Sequence, residues 1–440
     1  MPGGGTWVTQ NKVRPGAYIN FKTAMRALGV MGERGTMALP LELPWGPAKQ
    51  VVEINAGDNL VDLIGLDILD PAALLIKEAL KRARTVLLYR LNDGTKATVT
   101  QAPLTVTAKY SGTFGNKIKV AVQQNIDNEA TFDVITYLDS REVDKQEQVA
   151  TVEDLQPNSY VTFSGTGALT LTAGLSLTSG ADGTVANQDY SDFLAAIELE
   201  TWQTVALPSD DASLKPLFDS YIVRLRELEG RHVQAVLENY PVADYPGIIS
   251  VKNGVKLADG TVIDAAKATA WVAGATAGAE VNESLTLTAY DDAVEVDTKY
   301  TNSQIEAALK AGEFLFVNQH GKAVVEQDIN SFTSFTPTQG KKLAKNRPLR
   351  VLASINNDVK DIYNSYYAGK VDNNEDGRNM LRSELTTYLN TFQSINAIQN
   401  FDPETDIVIE PGIDGDAVVV GLYIQDVDSM EKAYITVEVR

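Results

Sequence analysis

The chain reads as an α+β or α/β multidomain protein: an α/β core, an inserted all-β domain, and extended strand-forming arms at its amino and carboxyl ends. Three observations predict this. Helical and strand patterns alternate over residues 70–91 and again from 185 onward. Residues 100–180 instead alternate Thr and Val with no helical period until Asp189. Both ends carry short extended segments behind turn signals. With 440 residues, 44% of them hydrophobic, the chain is long enough for large or multiple cores.

Taken in order, residues 1–22 form an amino-terminal arm in which the Pro15-Gly16 turn precedes the extended run Ala17, Tyr18, Ile19, Asn20 and Phe21. The first part of the α/β core covers 23–99. Within it Asp70–Arg84 is predicted as a helix, with Asp70 as cap, Pro71 at the first helical position, and Ile76, Ala79, Leu80 and Ala83 on one face. Lys81, Arg82 and Arg84 suit the negative end of its dipole. The run Thr85–Leu91 follows as a strand.

The inserted β domain, 100–180, is expected to hold strands at Leu104–Tyr110, Ile118–Gln124, Phe132–Tyr137, Tyr160–Phe163 and Leu169–Thr172. Bracketed by α/β texture, it is expected to be an outer, separately folded module that can be removed. The second part of the core, 181–426, predicts helices at Tyr190–Ile197, Leu214–Leu228, Ala265–Gly278, Gln304–Ala311, Val359–Tyr367 and Met380–Ile395. Its strands are expected at Thr204–Leu207, Val233–Leu237 and Ile248–Val251. Two closing strands, Ala417–Gln425 and Ala433–Val439, flank a turn at Asp428-Ser429, and 427–440 forms the carboxyl-terminal arm.

Composition excludes several functions. There is no cysteine, so thiolate nucleophiles and thiolate metal sites are absent, and two histidines, His232 and His320, leave little for imidazole chemistry. No phosphate-binding loop, dinucleotide fingerprint, zinc helix motif or serine elbow occurs. Asp372-Asn373-Asn374-Glu375-Asp376-Gly377 opens like a calcium loop, but its twelfth place is Ser383, and a turn between helices is the better account. No catalytic residue, cofactor or metal is assigned, and an enzyme is not expected.

A net charge of −20 argues against nucleic acid, and no window is apolar enough to insert in a membrane. The first residues hold no apolar stretch of signal-peptide type, so synthesis in the cytoplasm is expected. Charge is uneven: residues 1–34 carry five basic residues against Glu33, and 401–440 carry ten acidic residues against Lys432 and Arg440. Opposite signs at the two ends suit a head-to-tail polymer, and on charge alone equally a solvated basic arm and a solvated acidic face.

Several stretches resemble the tail sheath proteins of contractile phage tails, particularly those of Gram-positive prophages and phage-tail-like particles. They are Arg14–Phe21, Ala108–Ile118, Trp271–Gly274, Glu326–Asn330, Lys345–Arg347, Tyr367–Val371 and Val427–Val437, in order along nearly the whole chain. The resemblance implies a structural subunit that polymerises as stacked six-fold rings around an inner tail tube and contracts to drive the tube through a cell envelope. It implies as partners further copies of the chain, the tube protein, and baseplate and terminator proteins. The implied location is a virion or particle tail assembled in the bacterial cytoplasm. It also implies donated arm strands, here Ala17–Phe21 and Tyr434, Ile435, Thr436, Val437, Glu438 and Val439, that complete a neighbour's sheet. Hinges are expected at Pro15-Gly16 and around Asp426–Met430. Arg378 and Arg382, two cations opening the helix at Met380, are the candidate tube contact. The alternative is a β-rich surface or adhesin-type binding protein.

Overall fold

The computed structural model describes the backbone of residues 3–5 and 16–18 and all of 31–439. The chain gathers into two compact units, one of residues 32–357 and 426–440, the other of 1–31 and 358–425. The sequence reading runs one α/β core to 426. The units instead part at 357/358.

The larger unit is built on a seven-stranded sheet in the order Glu313–Phe314, Ile248–Val251, Gln234–Glu238, Thr204–Ala206, Thr36–Leu41, Thr85–Arg90, Val51–Asn55. All neighbours are parallel except the last pair, which is antiparallel. Side chains alternate across a strand, and here the alternation divides the core. Met37, Leu39, Val86 and Leu88 pack on one face, against Trp271 and the helix Ala265–Gly278. Ala38, Leu87 and Tyr89 pack on the other, with Phe193 and Phe218 from the helices Asn187–Glu198 and Lys215–Val223. A central parallel sheet covered on both faces needs apolar residues at consecutive positions, and Thr85–Arg90 is buried throughout.

Ala265–Gly278 can lie close to Leu74–Leu80 because its residues are small. A Cβ on Gly274 would come within 2.5 Å of the Ala79 carbonyl oxygen, and one on Gly278 within 2.0 Å of that of Arg82. The helix expected over Asp70–Arg84 is shorter: a 3-10 turn at Pro71–Ala73, then Leu74–Leu80. Arg84 and Thr85 both give their N–H groups to the Gly35 carbonyl, at 2.9 and 3.0 Å, which starts the strand instead.

The β module holds two sheets, ordered Arg141–Val149, Phe132–Leu138, Ile118–Gln124, Thr172–Ser176 and Val161–Ser164, Leu104–Ser111, Lys96–Gln101. The strand expected at Leu169–Thr172 is displaced, for Ala168 makes only a single bridge to Thr151. The module's ends meet, with Thr95 and Ala181 exchanging backbone hydrogen bonds of 3.0 and 3.2 Å. It is not separately packed. Trp45 stands edge-on to Tyr110 at 5.4 Å and lies 5.3 Å from Phe114, and buried Arg90 donates to the carbonyls of Gly46 (2.8 Å) and Ser111 (3.0 Å). One continuous apolar cluster includes Met37 and Leu39 with Val106, Ile118 and Val120. The shared core argues against the expectation of an independent, removable module.

In the smaller unit, Glu375–Ser394 buries Leu381, Leu385, Tyr388, Leu389 and Phe392. The Tyr388 hydroxyl donates to Asp358 at 2.7 Å. An antiparallel hairpin joins Ile407–Pro411 to Val418–Leu422, and Gly3–Gly5 pairs in parallel with Gly16–Tyr18. The helix expected from Val359 starts at Asn346. Its opening residues, in the larger unit, point into a buried polar cluster, where Asn346 donates to Asp328 at 2.8 Å and Arg350 to the Glu283 carbonyl at 2.5 Å, beside the buried Leu349, Val351 and Ile355. Among the described residues no helix is long and apolar enough to cross a membrane.

Candidate assembly surface

The hairpin Ile407–Pro411/Val418–Leu422 is an incomplete sheet. Gly412 N–H donates to Ala417 at 2.8 Å and Tyr423 N–H to Asp406 at 2.9 Å, which fixes the ladder's phase. In an antiparallel pair, bonded and non-bonded positions alternate. The bonded pairs are thus 406/423, 408/421, 410/419 and 412/417, and residues 407, 409, 411, 418, 420 and 422 turn their backbone groups outward. Pro411 has no N–H to present on the first edge, and the Ile407 carbonyl accepts from Arg382. The second edge, Val418, Val420 and Leu422, has outward donors that pair with no strand among the described residues. Isolated two-stranded hairpins are marginal, and such open edges are where further strands add.

At the carboxyl end, Tyr434, Ile435, Val437 and Val439 are 93, 81, 79 and 95% exposed. The residues Tyr434–Val439 have strand-forming composition and form no strand within the chain. The predicted closing strand Ala433–Val439 does not form, because no edge among the described residues pairs with it. Of the amino-terminal arm, Ala17 and Tyr18 belong to the short strand Gly16–Tyr18, while Ile19, Asn20 and Phe21 lie outside the described residues.

Arg378 and Arg382 are half-buried. Arg378 donates to the Asn373 side chain at 3.1 Å and to its carbonyl at 3.3 Å, and Arg382 to the carbonyls of Pro403 (3.3 Å) and Ile407. Both tie their own unit together. In the calcium-like segment, Asn374 caps the helix by accepting from Gly377 N–H at 2.8 Å, and Glu375 and Asp376 fall in its first turn. His232 is held through its backbone by Asn357, at 2.9 and 3.1 Å, and His320 occupies a left-handed turn position (φ 53°).

Two features escaped the sequence reading. The phase of the hairpin needs three-dimensional pairing, though Pro411 in an otherwise β-branched run is a signal of an outward position. The other is a side-chain socket around Glu431, drawn from three separated segments.

Four family models match consecutive stretches: the tail sheath protein Gp18 domain III N-terminal region at 34–91, the phage tail sheath beta-sandwich domain at 92–182, the central domain at 183–331 and the C-terminal domain at 338–440. The chain is 43% identical to the phage-like element PBSX protein XkdK of Bacillus subtilis (strain 168), over 99% of both chains. It resembles the crystal structure of the sheath tail protein from Desulfitobacterium hafniense at 55% identity and TM-score 0.88, covering 96% of this chain and 99% of that one. The fold alone is shared with the helical sheath of the anti-feeding prophage in its contracted state, at 11% identity and TM-score 0.56 over 98% of this chain and 99% of that one. An open-edged hairpin, a mixed core and matched domains from residue 34 to the end make one consistent case, and the chain belongs to the phage tail sheath protein family.

Proposed function

We propose that copies of this chain polymerise as stacked six-fold rings around an inner tail tube and contract to drive the tube through a cell envelope. The observation that carries this reading is the pairing of an unfinished sheet with an unpaired strand. The hairpin has outward donors at Val418, Val420 and Leu422, while Tyr434–Val439 is exposed and unpaired. Strand addition satisfies both, with main-chain hydrogen bonds giving affinity and alternate side chains giving register. A heterologous contact of this kind closes into a ring where its rotation allows and otherwise builds a helical lattice.

In this reading the amino-terminal arm, through Ala17–Phe21, adds in the same way, and the β module of residues 100–180 faces away from the tube. Baseplate and terminator proteins bound the polymer, in a particle tail assembled in the host cytoplasm. Contraction draws on the difference between two packings of the same subunits. A gain of about 1–2 kcal/mol per subunit, the scale of an ordinary hydrogen bond or two, becomes large when summed along a tail. Arg378 and Arg382 present positive charge to the tube. Both also tie their own unit together, so Arg378→Glu and Arg382→Glu are tested for folding first, and unchanged tube-templated assembly at low salt would remove that contact.

Negative-stain microscopy tests the main claim. Purified chain is expected to form tubes or rings, and a variant lacking residues 1–22 to remain a folded monomer. A truncated protein that still forms normal tubes would sink the donated-strand account.

A further inference from the structure

The turn around Asp426–Met430, expected as a hinge, is held to the larger unit by side chains from three other segments. Glu431 is the peg. One of its carboxylate oxygens accepts from Thr286 Oγ1 at 3.0 Å and Ser429 Oγ at 3.3 Å; the other accepts from Gln327 Nε2 at 2.7 Å and lies 3.0 Å from Lys345 Nζ. Its side chain is 9% exposed. Lys345 also binds Asp428 at 2.6 Å, and Lys342 binds Asp426 at 2.7 Å. Burial pushes the Lys345 ammonium down, and the hydrogen bonds to Asp428 and Glu431 more than reverse it, leaving its pKa above the usual lysine value. Every residue of 432–439 is exposed. Glu326–Asn330, Lys345–Arg347 and Val427–Val437, separate in sequence, thus meet at one socket.

We propose that Lys345 anchors Glu431 and so fixes the exit point of the carboxyl-terminal arm, making Lys432 the first residue free to reach a second copy of this chain. A carboxylate this buried requires its cation, because removing one partner of such a pair leaves an uncompensated charge that drives the other toward water. The anchor sets the reach. From the fixed point, residues 432–439 span at most about 26 Å when extended, at about 3.3 Å per residue; released from Val427, the tether lengthens to about 43 Å. A short tether with a fixed origin holds the donated strand at high effective concentration near an adjacent copy and out of range of more distant ones. The anchor follows from the contacts within this chain, whereas its use in assembly rests on the strand-donation reading above.

Hydrogen exchange on the soluble, unassembled chain tests the anchor directly. Lys345→Met is expected to speed exchange at residues 427–431 at least tenfold while leaving Thr85–Arg90 unchanged, and Lys345→Arg to restore protection. If Lys345→Met does not fold, Glu431→Gln with Asp428→Asn removes the same charges from the tail side. Unaltered exchange at 427–431 in whichever variant folds overturns the anchor. The same variant is expected to lose at least tenfold in tube yield, and raised exchange with unchanged yield overturns its control of reach. A variant lacking residues 433–440 that assembles like the intact chain would sink strand donation instead, while the exchange result still decides the anchor.

Discussion

The strands Thr85–Arg90 and Val418–Leu422 have similar compositions, Thr-Val-Leu-Leu-Tyr-Arg against Val-Val-Val-Gly-Leu, and different surroundings. The first pairs on both sides and is buried at every position. The second pairs on one side and is buried at none. β-propensity describes fitness for a pleated, half-covered surface, and says nothing about who supplies the cover. In the core the chain covers itself. At the hairpin one edge pairs with no strand among the described residues, so under the proposed function the two regions should answer differently to mutation: the core through folding, the hairpin and tail through assembly.

The largest expected effect comes from breaking the core side of that contrast. The β module enters and leaves through the neighbouring Thr95 and Ala181, so residues 96–180 can be excised and the ends joined with little chain strain. The excision would uncover Trp45, fully buried against Tyr110 and Phe114, and remove one of the carbonyls that satisfy Arg90. Losing the cover of one buried Trp is comparable with a Trp→Ala change, about 3–5 kcal/mol, before the other lost contacts count. The shortened protein is expected to aggregate. A soluble product melting cooperatively at the intact temperature would show that the two cores are separable after all.

Next comes a single side chain. Trp271 is fully buried, stacks on Tyr290 at 4.5 Å and donates from Nε1 to Asp291 at 3.0 Å. Trp271→Ala is expected to cost about 3–5 kcal/mol, measured by denaturant unfolding, and a cost under about 1 kcal/mol would mean that the cavity collapses.

The sequence made the core legible where local pattern and environment agree. Ile248–Val251 and Ala265–Gly278 occupy the predicted residues, because a short apolar strand and a small-residue helix are both encoded locally. The helix from Asn346 was read short because Asn346, Arg347 and Arg350 are buried yet polar and interrupt its first apolar positions, Leu349, Val351 and Ile355. The tail was legible as strand-forming and illegible as to fate, since Tyr434–Val439 pairs with none of the described residues. Nor was the socket around Glu431 readable, for Thr286, Gln327 and Lys345 meet only after folding.

A smaller effect on folding, and a sharper test of the hairpin, comes from proline. Val419 lies in a bonded pair with Glu410, so Val419→Pro removes a hydrogen bond within the hairpin, worth about 1 kcal/mol. Val420 lies opposite Ile409 in a non-bonded pair, with its N–H facing outward. Val420→Pro should therefore leave the monomer's melting nearly unchanged and prevent tubes seen by microscopy. If both variants assemble equally well, the edge at Val418–Leu422 accepts no strand.

The smallest expected effect on the fold belongs to removal of residues 433–440. Every described residue of this stretch is exposed, and Tyr434, Ile435, Val437 and Val439 cover nothing within the chain. Cutting after Lys432 leaves Glu431 and its partners in place, so the melting temperature of the soluble monomer should not move. Solubility should even improve, because four exposed apolar side chains next to free backbone groups are an aggregation hazard. Assembly is another matter. If these residues supply the strand that the hairpin edge lacks, the truncated chain has an acceptor and no donor, and it should remain monomeric at any concentration. Adding a synthetic peptide of residues 432–440 would fill the acceptor without linking subunits. It should therefore raise the monomer's melting temperature by mass action, as any ligand of the native state does, while still forming no tubes. A peptide that leaves the melting temperature of the truncated monomer unchanged would place the tail's partner elsewhere than on this hairpin.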